Sequence, residues 1–181
     1  MLTPLQKRKL TRYFNILDLG AKGFIEEEDI FTINLRLANK KGIHEGTPEW
    51  KGVRDNIDMI WKYSHQYGLT GDPDKVFLID WLAHENFILA DEWYRENYLR
   101  KISRDVFHLF MNPDNQKLYK EDYCELISCF GVEDGVRKWA FDKMDVENNG
   151  YFTEHEFITL VEDFHLSNSK NTHENYLFGS F

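Results

Sequence analysis

The sequence predicts a compact, globular all-α fold of four helix–loop–helix units arranged in two pairs. The prediction rests on a fourfold repeat of an apolar helix, a short polar loop and a second helix. In every loop the eighth residue is apolar, the twelfth is acidic and the thirteenth is apolar. The eighth residues are Ile25, Val76, Leu118 and Phe152; the twelfth are Asp29, Asp80, Asp122 and Glu156; the thirteenth are Ile30, Trp81, Tyr123 and Phe157.

The eighth loop residue predicts how the units pair. In a helix–loop–helix unit it forms a short β-bridge with the equivalent residue of a partner loop, while the residues that flank the loop bury against each other. Ile25 is therefore expected to pair with Val76, and Leu118 with Phe152. This predicts an N-terminal pair of helical units in residues 1–90 and a C-terminal pair in residues 91–181. Within each pair, a short β-bridge joins the two loops.

The loop from Asp145 to Glu156 has the spacing of an EF-hand calcium loop. Such a loop wraps a hard cation in oxygens from positions 1, 3, 5, 7, 9 and 12, with the seventh supplied by a backbone carbonyl, and it has glycine at position 6. Gly150 stands at position 6. The six predicted ligands are Asp145, Glu147, Asn149, Tyr151, Thr153 and Glu156. We expect one Ca²⁺ here, with Mg²⁺ as a candidate occupant at rest; the alternative is an acidic turn at residues 148–150.

The other three loops have lost most of these ligands. In loop one, Gly20 offers no side chain at position 3, and Lys22 puts a cation at position 5. A lysine turned inward would replace the metal there, since opposite charges attract strongly in a partly dry site. Positions 1, 3 and 5 are Leu69, Gly71 and Pro73 in loop two and Met111, Pro113 and Asn115 in loop three. All three loops are predicted to bind no metal and to serve as structural partners.

The amino-acid composition limits the partners and the cellular location that can be expected. The net charge of −9 argues against nucleic acid as a partner, because no basic stripe is present to neutralise phosphates. No apolar run resembles a signal peptide or a membrane span, and Cys124 and Cys129 are expected to be reduced, which favours a cytoplasmic monomer. The abundant aromatics predict either a bulky core or a cavity for an apolar small molecule. Candidate cavity residues are Trp50, Trp61, Trp81, Trp93 and Trp139.

With these residues noted, the chain resembles the invertebrate sarcoplasmic calcium-binding protein family, and within it the branch of calexcitin and the insect juvenile hormone diol kinase-like proteins. The resemblance is carried by Lys7-Arg8-Lys9-Leu10 with Phe14-Asn15, Ile60-Trp61, Trp81 and Asn175-Tyr176-Leu177-Phe178-Gly179. It implies a compact arrangement of four EF-hands and a calcium-binding role. The kinase-like branch would imply nucleotide-dependent phosphorylation of juvenile hormone diol.

The sequence contains no motif that would support such a kinase. The phosphate-binding pattern G-x-x-x-x-G-K-[ST] and the protein-kinase signatures do not occur, and catalytic residues are unknown. Lys40-Lys41-Gly42 is more typical of a solvated basic turn than of a phosphate site. Three hypotheses therefore stand: a calcium-binding protein with one working loop, a juvenile hormone diol kinase-like enzyme, and a carrier of an apolar ligand. A loose polar tail is expected from Ser167 to Asn175, before a last apolar patch at residues 176–181.

Overall fold

The computed structural model describes residues 1–179 as a mainly helical chain with four two-residue strands. The N-terminal half contains α1 (Pro4–Leu17), β1 (Phe24–Ile25), α2 (Glu27–Lys40), α3 (Trp50–Gln66), β2 (Val76–Phe77) and α4 (Leu78–Ala90). The rest contains α5 (Glu92–Tyr94), a π-helical segment (Arg95–Arg100), α6 (Lys101–Phe110), β3 (Leu118–Tyr119), α7 (Lys120–Ser128), α8 (Asp134–Met144), β4 (Tyr151–Phe152), α9 (Glu154–Leu166) and a 3₁₀ turn (His173–Tyr176).

Local capping explains where the helices begin. Thr3 caps α1 in a reciprocal capping box with Gln6, and Pro4 occupies the first helical position, where its missing N–H costs nothing. Thr153 caps α9 in the same way with Glu156. The helix that follows a loop is thus started by residues of the loop itself, which fixes the loop relative to the helix.

The predicted pairing of the loops is confirmed. β1 and β2 pair antiparallel with Ile25 opposite Val76, and β3 and β4 pair with Leu118 opposite Phe152. All four of these side chains are almost fully buried. An apolar residue at the eighth loop position therefore both bridges two loops and anchors them to the core.

One hydrophobic core cluster runs through both halves of the molecule. It includes Phe14 and Ile30 from the first unit and Phe141, Phe157 and other residues from the last. The connection between the halves is itself helical, since α5, the π-helical segment and α6 follow one another without a break. The division into units at residues 90 and 91 stays a prediction. Within residues 1–179, no helix has both the length and the apolar character needed to cross a bilayer.

The expectation of a loose tail is wrong. Lys9, which is fully buried, donates from Nζ to the Ser167 carbonyl oxygen (3.0 Å) and to Asn175 Oδ1 (2.9 Å). Further along, Tyr123 Oη donates to the Leu177 carbonyl oxygen at 2.8 Å. Polar residues that would be solvated in an isolated segment are instead used to satisfy buried donors of α1 and α7. Phe178 completes the contact by stacking on Tyr13, with ring centroids 4.6 Å apart. Residues 180 and 181, the end of the predicted apolar patch, lie outside the described residues.

Candidate metal centre and interior cavity

Loop four has the backbone geometry that an EF-hand ligand set requires. Asp145 at position 1 accepts hydrogen bonds from the backbone N–H of Asn149 (3.2 Å, Oδ1) and of Gly150 (2.8 Å, Oδ2). Gly150 has a φ of +80°, a conformation that glycine adopts without steric cost, which explains its place at the sharp turn. Asn149 Oδ1 in turn accepts from the Tyr151 N–H at 3.1 Å.

The acidic residue that ends loop four is held by its own helix cap. Glu156 Oε2 accepts from both the backbone N–H and the hydroxyl of Thr153, each at 2.7 Å. A hollow of about 160 Å³ adjoins this carboxylate, and its border includes Asp145, Glu147 and Tyr151. Four of the six predicted ligands therefore border one hollow, together with non-ligand residues such as His155 and Asp163, whereas Asn149 and Thr153 do not line it.

The carboxylates of loop four are spread around this hollow. No group of three His, Cys, Asp or Glu side chains within residues 1–179 is close enough together to hold a metal ion. Of the predicted ligands only Asp145, Glu147 and Glu156 are acidic, and the remaining oxygens would come from an amide, a hydroxyl and a backbone carbonyl. Glu156 Oε2 would exchange its hydrogen bonds from Thr153 for the ion to act as a ligand. The residues fit a Ca²⁺ site, and their assignment as ligands stays a prediction.

Loop one keeps the frame of loop four but holds an ammonium group inside it. Asp18 accepts from the N–H groups at positions 5 and 6, Lys22 (2.9 Å) and Gly23 (2.7 Å), just as Asp145 does. Lys22 Nζ lies 2.8 Å and 2.9 Å from the two carboxylate oxygens of Asp29 and 3.0 Å from Glu26. Positions 9 and 12, which would bind a metal, thus bind a lysine.

The protonation of Lys22 is reinforced by these contacts. Partial burial would lower the pKa of Lys22, but hydrogen bonds and charge attraction from Asp29 and Glu26 outweigh that effect and raise it. The ammonium ion therefore stays charged at physiological pH and supplies the positive charge that the carboxylates need.

Loop two is closed by the acid at its twelfth position. The Asp80 carboxylate accepts from the backbone N–H of Leu69 (2.6 Å), of Thr70 (2.8 Å) and of Phe77 (3.1 Å), and from the Thr70 hydroxyl (2.8 Å). Burial alone would raise the pKa of Asp80, but these hydrogen bonds together hold it below its usual value. A carboxylate that already accepts four hydrogen bonds has no free oxygen to offer a cation.

Loop three is closed by its own backbone. The N–H of Asn112 donates to the Lys117 carbonyl oxygen (2.8 Å), and the N–H of Gln116 donates to the Asn112 carbonyl oxygen (2.9 Å). Gln116 takes the position of the usual glycine with a φ of +55°. The result is a tight turn closed by backbone hydrogen bonds, with a bridge between Asn112 and Lys117.

A second feature lies between the two halves, where a cavity of about 120 Å³ is enclosed mainly by apolar side chains. Its walls come from α1, α2, α3, α4, the π-helical segment, α6, the turn after α7, α9 and the tail. Representative residues are Ile30, Ile33, Trp81, Ile102, Val161 and Phe178. Of the five tryptophans predicted as candidates, Trp81 alone lines it. Trp93 and Trp139 are 55% and 40% exposed, because each lies on the outer face of its helix.

Polar side chains interrupt this apolar lining, and two of them, Glu85 and His165, carry a buried carboxyl and a buried imidazole group; the others include Tyr13, Asn34, Tyr98 and Ser103. Glu85 of α4 is 2% exposed and His165 of α9 is 3% exposed. Burial raises the pKa of Glu85 to about 8 and lowers the pKa of His165 to about 4, so both are mainly neutral near pH 7. His84, the neighbour of Glu85, also has a pKa lowered by burial and by His165 to about 4.

Sequence reasoning did not single out Glu85 or His165. A signal for Glu85 was present, because Trp81, Glu85 and Ile88 follow the i, i+4, i+7 spacing of one helix face in an apolar segment. Such a face predicts burial of the glutamate with its apolar neighbours. His165 offered no comparable signal, since its burial depends on where α9 meets α4.

No protein-family model matches the sequence, and a search of curated proteins finds no match. Solved structures do match. Okadaic acid binding protein 2.1 has a TM-score of 0.73 at 16% identity, over 99% of this chain and 97% of that one. A sarcoplasmic calcium-binding protein from amphioxus has 0.67 at 13%, over the full length of both chains. The calcium-loaded apo form of the coelenterazine-binding protein from Renilla muelleri has 0.66 at 16%, over 99% of this chain and 100% of that one.

These similarities define the class of fold. The chain is mostly helical with two short antiparallel sheets, and it has the four-EF-hand fold of the sarcoplasmic calcium-binding proteins and the EF-hand photoproteins. At 12–17% identity the likeness concerns the fold alone. The finer resemblance to the juvenile hormone diol kinase-like branch stays a prediction.

Proposed function

We propose that the protein binds a single calcium ion through loop four. The observation that carries the proposal is the contrast among the four loops. Loop four combines the EF-hand ligand spacing with a hollow bordered by Asp145, Glu147 and Glu156. Loop one has Lys22 between its carboxylates, loop two has Asp80 saturated with donors, and loop three is a backbone hairpin.

Calcium would join oxygens that now make local hydrogen bonds. Asp145, Glu147 and Asn149 would supply side-chain oxygens at positions 1, 3 and 5, and Tyr151 its backbone carbonyl. Thr153 would contribute directly or through water, and Glu156 would supply two oxygens. The ion would draw loop four together while loop three supports it through the β3–β4 pair. Magnesium, which demands a smaller octahedral shell, is the competing occupant at rest.

Glu156→Gln tests the assignment. The amide removes the bidentate carboxylate but still completes a capping box with Thr153, so α9 should keep its start. We expect calcium affinity, measured by isothermal titration of chelator-treated protein, to fall by roughly a hundredfold or more. Far-ultraviolet circular dichroism should remain that of the wild type.

Asp122→Asn is the matched control, since Asp122 holds the same loop position in loop three. It should leave the titration unchanged. Wild-type affinity in the Glu156→Gln variant, or loss of binding in the Asp122→Asn variant, would contradict the proposal.

A second candidate function is the carriage of a small apolar ligand, and the cavity of about 120 Å³ favours it. An apolar cavity of similar size, about 150 Å³, is known to bind benzene. The names of two structurally similar proteins, which bind coelenterazine and okadaic acid, add support at the level of the fold. Titration with toluene tests this candidate, and the lack of any binding would contradict it.

The kinase hypothesis rests on the resemblance alone, and no feature of the described residues favours it. Incubation of the protein with juvenile hormone diol and labelled ATP or GTP tests it. Phosphate transfer would support it, and its absence together with an unchanged melting temperature in nucleotide would count against it.

A further inference from the structure

Two polar side chains from different helices lie next to each other in the cavity wall, with no hydrogen bond between them. Glu85 Oε2 on α4 is buried and has no hydrogen-bond partner within residues 1–179. His165 Nε2 on α9 lies 3.8 Å away, which is too far for a direct hydrogen bond. Both side chains line the cavity. Leaving a buried polar atom unpaired is costly, so a third group that hydrogen-bonds to both side chains would stabilise this arrangement.

The hydrogen bonds of His165 determine what that group must offer. His165 Nδ1 lies 2.8 Å from the Val161 carbonyl oxygen, which can only accept, so Nδ1 carries the proton. In the neutral ring Nε2 is then an acceptor that faces Glu85. Burial keeps Glu85 protonated near pH 7, so its carboxyl group can donate. The pair thus presents one donor and one acceptor to the same point.

We propose that the cavity binds a small apolar molecule through a single hydroxyl group placed between Glu85 and His165. The hydroxyl donates to His165 Nε2 and accepts from the Glu85 carboxyl group. A hydroxyl is the smallest organic group that does both, whereas a carbonyl would leave His165 unpaired. The proposal rests on the carrier function and specifies it, since it names the chemical class of the ligand: a compact, one-ring alcohol or phenol.

The side chains around the Glu85–His165 pair would contact the rest of the ligand. Ile30, Ile33 and Leu99 provide apolar surface, and Trp81 contributes an indole whose Nε1 already donates to the Leu10 carbonyl oxygen at 3.1 Å. The other polar residues of the lining are Tyr13, Asn34, Tyr98 and Ser103; Asn34 Nδ2 and Ser103 Oγ already donate to the carbonyl oxygens of Ile30 (2.8 Å) and Leu99 (2.7 Å). The remaining lining is apolar and favours a hydrocarbon body. A body larger than one six-membered ring would exceed the volume of about 120 Å³.

Phenol and toluene test the proposal as a matched pair, because they differ by a hydroxyl in place of a methyl group. Both are titrated calorimetrically into the wild type, Glu85→Leu and His84→Leu. We expect the wild type to bind both, and Glu85→Leu to shift the ratio of affinities toward toluene by about tenfold or more. Since the ratio is taken within one variant, a general change in stability does not affect it.

His84→Leu is the matched control. His84 is also buried on α4 and has two unpartnered ring nitrogens, but it does not line the cavity, so the ratio should stay at its wild-type value. Binding of toluene without phenol in the wild type, or an unchanged ratio in Glu85→Leu, would overturn the hydroxyl site and leave the carrier function standing. Binding of neither compound would overturn both.

Discussion

At the scale of single residues, the chain shows how an EF-hand loop can keep its shape without a metal. Lys22 places an ammonium group among the carboxylates of loop one, and Asp80 accepts four hydrogen bonds in loop two. In both loops these contacts pair carboxylate oxygens that would otherwise lack a hydrogen-bond partner. The acid at position 12 therefore has a structural partner in loops one and two, a lysine ammonium group for Asp29 and backbone N–H groups for Asp80.

Lys22→Ala should destabilise the protein by about 1–2 kcal/mol, because it leaves Asp29 and Glu26 facing each other with no cation between them. The Asp29 side chain is only 5% exposed, so water can do little to compensate. Urea denaturation in the presence of chelator measures the change. Lys51→Ala is the control, since it removes a pair with Asp55 in which both side chains are more than half exposed, and it should cost less than about 0.5 kcal/mol. Equal losses in the two variants would contradict this role of Lys22.

At the scale of elements, α4 and α9 meet through neutralised side chains. Burial raises the pKa of Glu85 to about 8 from an ordinary 4.5, so between these values the folded state binds more protons than the unfolded chain. The contribution of Glu85 to stability is therefore lost as pH rises toward 8. His84 and His165, with pKa values lowered to about 4, act in the opposite direction, but only below about pH 6.5.

The free energy of unfolding should accordingly fall between pH 6.5 and pH 8, by up to about 1.4 kcal/mol for each pH unit from Glu85 alone. Glu85→Gln should remove this fall. Below pH 6.5 the free energy of unfolding of the variant should still increase with increasing pH, because of the two histidines. Chemical denaturation of both proteins across pH 5–8.5 provides the measurement. A wild-type slope that persists in Glu85→Gln would contradict the assignment of the slope to Glu85.

At the scale of the whole molecule, two features that the sequence treats separately are connected by one helix. α9 is capped by Thr153 and Glu156 of loop four, and His165, near its other end, lines the cavity. The tail after α9 then returns to α1, where Lys9 and Arg12 hold it. The proposed metal centre and the proposed ligand cavity are thus built on the two ends of one element.

The sequence predicted the features that repeat and missed those that occur once. The fourfold spacing was enough to predict the units, the pairing of Ile25 with Val76, and the inward lysine at position 22, because each follows from a local pattern. The packed tail and the Glu85–His165 pair depend on contacts between segments 54 to 166 residues apart. No local spacing encodes such contacts, so burial of polar residues there could be found only from the structure.

The most direct test of the account is the number of calcium ions that one chain binds. Equilibrium dialysis of chelator-treated protein, with calcium measured by atomic emission, should reach one ion per chain with a simple hyperbolic curve, because loop three is predicted to bind no metal. Two or more specifically bound ions would contradict the interpretation of loops one to three as closed by their own residues. No bound ion at millimolar calcium would contradict the proposed site at Asp145 to Glu156.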